Sequence, residues 1–296
     1  MKPAHVINCG TYCVLFVSAI LCNKYVLSVF GFQYPTIFQA WQNLVACILT
    51  YILQGNTLSK VSIKDFKSWS PGMLFYIGTI YSGSIALAKN PIPVYLIGNS
   101  GSDIILHLTD NEFISSAVHW TISMKAISIM LIFWNTSLDD FGLRWLVVNM
   151  LFSGIYKSLT YWYDKPGLRS TYLLVKRRQC LHLNNISSVF ILFPLGIYMG
   201  HHQKIAYEFS YLKSPLFYAL CFISGILCFT VSNVFYSINE TLPSHVTDLL
   251  HIVSRYLALF VAMQTFTLNH SFFLWISIIF GLSSDLIYVF SIVYYV

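Results

Sequence analysis

The sequence predicts an all-α integral membrane protein of ten transmembrane helices, arranged as two five-helix halves of opposite orientation. Three observations lead there. Of the 296 residues, 56% are hydrophobic and only 9% are charged, against roughly 45–50% apolar and about 25% charged in soluble domains. Seven Trp, 20 Tyr and 23 Phe are more aromatic surface than a water-facing chain of this length can cover. The apolar residues also fall in runs of ~20, the length that crosses a bilayer.

The runs are 6–29, 35–54, 70–88, 91–108, 115–133, 141–163, 181–200, 215–238, 243–267 and 271–295. The first is too long for the apolar core of a signal peptide and lacks a small-x-small cleavage site, so it is read as a retained span. Gly31 and Pro35 separate the first two runs, and Ser59 to Lys67 the next two. Lys89-Asn90-Pro91, Asp110 to Glu112 and Asp139-Asp140 mark later turns. The fourth run is interrupted by Gly98, Asn99, Ser100, Gly101, Ser102 and Asp103. Asp164 to Cys180 is the one long inner connection, and it is basic.

Lys and Arg in the loops set the expected orientation. With the N-terminus in the cytoplasm, Lys2, Lys60, Lys64, Lys67, Lys165, Arg169, Lys176, Arg177 and Arg178 face it, while Lys89, Arg144, Lys204 and Lys213 face the other side. Both termini are then cytoplasmic. The sequon Asn135-Thr136-Ser137 lies on the far side, too close to a span to favour glycosylation. The halves, 1–140 and 141–296 of a single membrane domain, echo one another. Asn23-Lys24 follows the start of run one by about the spacing at which Tyr156-Lys157 follows the start of run six. Five spans followed by five more reverse orientation, the inverted repeat that secondary transporters use for alternating access.

Charges inside the runs carry the functional signal, because each costs at least ~2.5–3.5 kcal/mol at the bilayer centre. They are Lys24, Lys125, Lys157, Arg255, Asp103, Asp248 and Asp285. Arg255 lies 12 residues after Pro243, roughly 18 Å along a helix and near the midplane. Asp248, His251 and Arg255, spaced i, i+3, i+7, share one helix face. That face reads either as the wall of a cavity in which Arg255 receives an anion, or as an ion pair of Arg255 with Asp248 or Asp103. Lys24 and Lys157 sit near opposite membrane faces, as two anion-attracting gate residues or as snorkelling cations. Lys125 and Asp285, both mid-span, read as a structural pair, since either alone is a costly unpaired charge.

Run seven opens with Asn184 and Asn185, adjacent amides suited to bases, ribose and sugar hydroxyls or to interhelical hydrogen bonds. Tyr25, Tyr95 and Tyr156 could stack on a base, and Asn99 sits in the polar interruption of run four. No metal, cofactor or nucleophile motif is present: His201-His202 lacks a third ligand at useful spacing. The net charge of +6 comes in short patches, which argues against nucleic acid as a partner. The seven Cys read as small interior residues rather than a disulfide framework. An intramembrane enzyme or lipid-handling protein would use Asp248/His251 as its dyad.

Cys22-Asn23-Lys24-Tyr25-Val26-Leu27-Ser28, Ile92-Pro93-Val94-Tyr95-Leu96 and Leu183-Asn184-Asn185-Ile186-Ser187-Ser188, in this order and placement, resemble the nucleotide-sugar transporters of solute carrier family 35, within the drug/metabolite transporter superfamily. The resemblance implies that superfamily's fold, no enzymatic activity and no cofactor. It implies exchange of a nucleotide sugar, such as UDP-N-acetylglucosamine, for a nucleoside monophosphate across the Golgi membrane, with the endoplasmic reticulum as the other compartment. Sugar-phosphate or organic-anion transport is the alternative within the superfamily. It further implies that Lys24, Lys157 and Arg255 neutralise phosphates and that Asn184 and Asn185 read the nucleoside, within a substrate set that includes Asn23, Tyr25, Asn99, Asp103, Tyr156, Asp248 and His251. Asp103 could hold Arg255 between cycles. The family's span-nine Gly-x-x-Asn-Lys is not intact here, where Ile252-Val253-Ser254-Arg255 stands, and this counts against a GDP-sugar. The sequence leaves the oligomeric state open, a homodimer included.

Overall fold

The computed structural model describes residues 3–58, 63–109, 116–134, 138–164, 177–266 and 272–295. Lys2, Lys60, Lys165, Arg169, Lys176 and the sequon at Asn135 lie outside the described residues, so the structure does not bear on the orientation they imply.

Twelve helices are described: α1 (Pro3–Lys24), α2 (Pro35–Leu58), α3 (Ile63–Lys89), α4 (Ile92–Ser100), α5 (Ser102–Thr109), α6 (Ser116–Phe133), α7 (Asp140–Asp164), α8 (Arg177–Tyr198), α9 (His201–Glu208), α10 (Pro215–Thr241), α11 (Ser244–Thr265) and α12 (Phe272–Tyr295). A π-helical turn, Tyr25–Val29, extends α1. Gly31 then takes φ +66°, a conformation open to glycine at no steric cost, and turns the chain into α2. Seven helices (α1, α2, α3, α8, α10, α11 and α12) contain stretches long and apolar enough to cross a membrane. The polar interruption of run four is a break between α4 and α5 at Gly101. The short α9 has no buried residue and follows Gly200 at φ +72°; no apolar run had marked it.

The molecule carries large apolar side chains on its outside and buries polar ones beside its apolar core. Val14, Tyr51, Ile52, Leu74, Trp120, Met130, Phe190, Phe260, Phe272 and Phe290 are exposed, whereas Gln42, Asn90, Lys125, Asn149, Asn184, Ser224, Arg255 and Asp285 are buried. A soluble protein reverses this; a bilayer requires it, since polar groups there must find partners inside the protein. All seven cysteines are free thiols.

Helix packing repeats between the halves. Let α1, α2, α3, α4–α5 and α6 exchange with α7, α8, α10, α11 and α12. Then α3 on α7 becomes α10 on α1, α5 on α7 becomes α11 on α1, and α2 on α10 becomes α8 on α3; all six contacts are present. The pairs α2–α8, α6–α12 and α4–α11 map onto themselves, and they too are present.

Contacts sort the helix ends into two levels. One, called proximal here, joins Tyr12 to His251, Arg178 to Glu240 and Trp69 to Asn184. The other, distal, joins Lys24 to Asn90 and Tyr34 to Glu208. Distally one continuous core runs through Val26, Leu27, Phe30, Phe32, Leu87, Ile92, Leu143, Phe217 and Ala262. Proximally the core is divided. Trp69, Met73 and Leu183 form one cluster on α3 and α8. Tyr12, Ile238 and Leu250 form another on α1, α10 and α11.

Candidate functional site

The break between α4 and α5 sets the site. It places Ser102 and Asp103 at the start of a new helix, midway along the run, where α6, α7, α11 and α12 bring their own charges. Lys157 Nζ lies 2.7 Å from Asp103 Oδ1, and Lys125 Nζ lies 2.9 Å from Asp103 Oδ2. Lys125 also reaches Asp285 Oδ1 at 2.8 Å. The Arg255 guanidinium bridges both acids, Nη1 to Asp285 at 3.3 Å and Nη2 to Asp103 at 3.4 Å. Three cations therefore share two carboxylates, a formal surplus of one positive charge (3 − 2 = +1).

Two neutral groups complete the network. Ser102 Oγ accepts from Lys157 at 2.7 Å, and Tyr256 Oη donates to Asp285 at 3.0 Å. Neither stood out in the sequence, although Tyr256 adjoins Arg255 and Ser102 adjoins Asp103. The network has a buried side and an accessible one. Lys125, Asp285 and Arg255 side chains retain 3%, 2% and 7% exposure, while Lys157 retains 28% and Asp103 18%. A solute reaching the cluster meets Lys157 and Asp103 first.

The Lys125–Asp285 pair read from the sequence is present, as one edge of a five-residue network. Of the two partners weighed for Arg255, the structure has Asp103, and no ion pair to the half-buried Asp248 is found among the described residues. Asn99, one turn before Asp103, keeps a buried side-chain oxygen without a hydrogen-bond partner.

Lys24 does not join the cluster. Its Nζ donates to the carbonyls of Leu87 (2.8 Å), Ala88 (3.3 Å) and Asn90 (2.8 Å) at the end of α3. Asn90 and Asp103 are separated by the whole of α4 and its flanking turns, on the order of 20 Å at a helical rise. Tyr25 is 41% exposed at the distal end and meets Phe30 edge-on, away from the charges. His251 accepts from or donates to Tyr12 at 3.1 Å and packs against Phe16 and Phe235, which makes it part of the α1–α11 contact.

The remaining amides form two triads, one at each level. Proximally, Asn184 accepts from Trp69 Nε1 at 2.8 Å and donates to Tyr156 Oη at 2.8 Å. Asn184 is 0% exposed, so both ends of its amide serve the protein. Among the described residues, Asn185 is held only by a 3.5 Å contact from Tyr76 Oη to its oxygen. Distally, Asn23 Oδ1 accepts from Gln42 at 2.8 Å and from Ser224 at 2.6 Å, and Gln42 also donates to Ser224. The triads lie on α7, α8, α3 and on α1, α2, α10, which exchange between halves. In each, the residue preceding a lysine (Tyr156 or Asn23) bonds the amide on the next helix. Trp69, Tyr76 and Gln42 were not singled out from sequence.

No family model matches the chain. It is 30% identical over 233 residues to the UDP-N-acetylglucosamine transporter TMEM241 homolog of Xenopus laevis, covering 74% of each chain. The chain belongs to the nucleotide-sugar transporters of solute carrier family 35. This transporter is also 29% identical to the mouse UDP-N-acetylglucosamine transporter TMEM241, over 74% of each chain. To the Arabidopsis thaliana GDP-mannose transporter GONST1 it is 23% identical, over 75% of the transporter and 69% of the relative. A crystal structure 11% identical to it superposes with a TM-score of 0.58 over 97% of both chains, which shows that the fold recurs at full length.

Proposed function

We propose that the transporter exchanges a UDP-sugar, UDP-N-acetylglucosamine in the first instance, for a nucleoside monophosphate across the Golgi membrane. The observation that carries this reading is the convergence of Lys125, Lys157 and Arg255 on the single carboxylate of Asp103 at mid-helix depth. A carboxylate held by three cations occupies the place that a phosphate can take, because ammonium and guanidinium groups bond phosphate oxygens as they do carboxylate oxygens. Lys157 and Arg255 receive the diphosphate, with Asp103 displaced, and Lys125 stays with Asp285. Asn185 offers its free amide hydrogens to the base, Asn184 being bound to Trp69 and Tyr156. The unpartnered Asn99 oxygen accepts from a ribose or sugar hydroxyl.

Exchange by alternating access goes with ten crossings in a five-plus-five inverted repeat, seven of them on helices long and apolar enough to span among the described residues. The packing contacts that survive swapping the halves favour that arrangement. The continuous distal core and the divided proximal core support reading this conformation as closed distally. A UDP-sugar is preferred over a GDP-sugar because Ile252-Val253-Ser254-Arg255 replaces the family's Gly-x-x-Asn-Lys and because the two relatives that match 74% of the chain at 29–30% identity are named for UDP-N-acetylglucosamine.

The test uses purified transporter in liposomes loaded with UMP, GMP or buffer. UDP-N-acetylglucosamine uptake is expected to rise with internal UMP and not with GMP. Uptake of GDP-mannose in preference, stimulated by GMP, overturns the choice of base. Uptake of neither sugar, with uptake of a simple sugar phosphate, moves the transporter to the organic-anion alternative.

A further inference from the structure

At the distal end, hydrogen bonds cross between two groups of helices. Proximally, the two core clusters divide α3 and α8, with Tyr156 and Tyr163 of α7, from α1, α10 and α11. Exchange of the halves carries this division to the distal end, where it separates α10, α2 and α1 from α3, α7 and α4–α5. Lys24 and Ser28 sit on one side of that line and their acceptors on the other. Lys24 donates to Leu87, Ala88 and Asn90, and Ser28 Oγ donates to Ala88 at 2.8 Å. The last carbonyls of a helix lack intrahelical donors and carry its negative dipole end. A lysine there is held by charge as well as by hydrogen bonds.

Lys24 is also an unusual cation for a membrane interior. Only 9% of its surface is exposed, and no carboxylate within ion-pair reach of it is found among the described residues. All three of its donors are engaged by backbone. Its counterpart in the second half, Lys157, is engaged differently, by Ser102 and Asp103 inside the cluster. The end of α10, which corresponds to the end of α3, is instead met by Arg178 through Glu240. Of the two lysines, the one at the closed end caps a helix and the other sits in the cluster.

We infer that Lys24, with Ser28, is a latch: it locks the distal gate by tying the end of α1 to the last turn of α3 across the gap that opens in the other conformation. This rests on the alternating-access reading above. Lys24 is then a gating residue rather than a phosphate ligand of the conformation described, and opening the distal end requires its release from three carbonyls. The pseudo-symmetry gives Lys157 the matching part at the end of α10 when the proximal end closes.

Hydrogen–deuterium exchange of the full chain in lipid nanodiscs, without any substrate, tests the latch. Lys24→Gln and Ser28→Ala are compared with the wild type; Ser28→Ala removes one hydroxyl and preserves the charge. Both are expected to speed exchange at least tenfold in residues 24–34 and 85–95, with residues 178–190 unchanged. Unchanged distal exchange in both variants overturns the latch, and a fall in nucleotide-sugar affinity in Lys24→Gln then makes Lys24 a ligand. A rise spread over the whole molecule also overturns it, since a latch acts on one end. Because no nucleotide sugar is present, the latch can hold even if the substrate assignment fails, and the reverse.

Discussion

Removing Asp285 is the sharpest probe of the charge network. Asp285 is 1% exposed, and it holds Lys125 at 2.8 Å, Arg255 at 3.3 Å and the Tyr256 hydroxyl at 3.0 Å. At an effective dielectric of ~20, the attractions to Lys125 and Arg255 are each about 5–6 kcal/mol before desolvation. Breaking a buried pair by deleting one partner costs about 3–5 kcal/mol, because the other charge stays buried. Asp285→Asn leaves three cations on Asp103 alone. Lys125→Met leaves two cations on two carboxylates, and Asp285 keeps Arg255. Asp285→Asn is therefore expected to be the more damaging single change, lowering the melting temperature by on the order of 10 °C. The double variant Lys125→Met/Asp285→Asn restores the surplus of one charge and is predicted to be more stable than Asp285→Asn alone. A double-mutant cycle on purified protein, read by thermal unfolding, measures the coupling. Additive losses, or Lys125→Met costing more than Asp285→Asn, would refute the reasoning.

Two further predictions concern packing. Trp69→Phe keeps an aromatic ring beside Tyr163, which Trp69 meets edge-on, but leaves the Asn184 oxygen without its 2.8 Å donor, a loss of about 1–3 kcal/mol that should appear in the melting curve and be absent in Trp69→Phe/Asn184→Leu relative to Asn184→Leu. Gly98→Ala places a methyl 2.4 Å from Leu146 Cδ2, where α4 meets α7. Overpacking of this kind costs about 1–3 kcal/mol, and Leu146→Val in the same chain should recover much of it.

Much of the helical framework was legible because a bilayer imposes simple rules. Length and hydropathy placed the runs to within a few residues of the helices at most ends, and the polar interruption at Gly98 to Asp103 marked the α4–α5 break. Buried charges were legible for the same reason, since an acid or base within an apolar run must find a partner. Which partner was less so. Of the two partners weighed for Arg255, Asp103 is present and Asp248, on its own helix face, is not an ion-pair partner among the described residues; Asp285, which also holds Arg255, was not weighed. Lys24 was read beside Lys157 because the halves echo each other in sequence. Its acceptors are backbone carbonyls 63–66 residues distant, and backbone carries no sequence signal. Asn184 and Asn185 looked equivalent as adjacent amides. A helix turns them about 100° apart, so Trp69 and Tyr156 enclose one and leave the other nearly free.

The most direct test of the central claim is UDP-N-acetylglucosamine/UMP exchange by Lys157→Gln in proteoliposomes. Lys157 is the most accessible cation of the cluster, with 28% of its side chain exposed, so the variant is expected to fold. A charged hydrogen bond is worth about 1.5–3 kcal/mol, and its loss should weaken apparent substrate affinity by roughly 10- to 150-fold. Exchange by Lys157→Gln with wild-type affinity and rate would contradict this expectation, and would take the substrate's phosphates away from the cluster around Asp103.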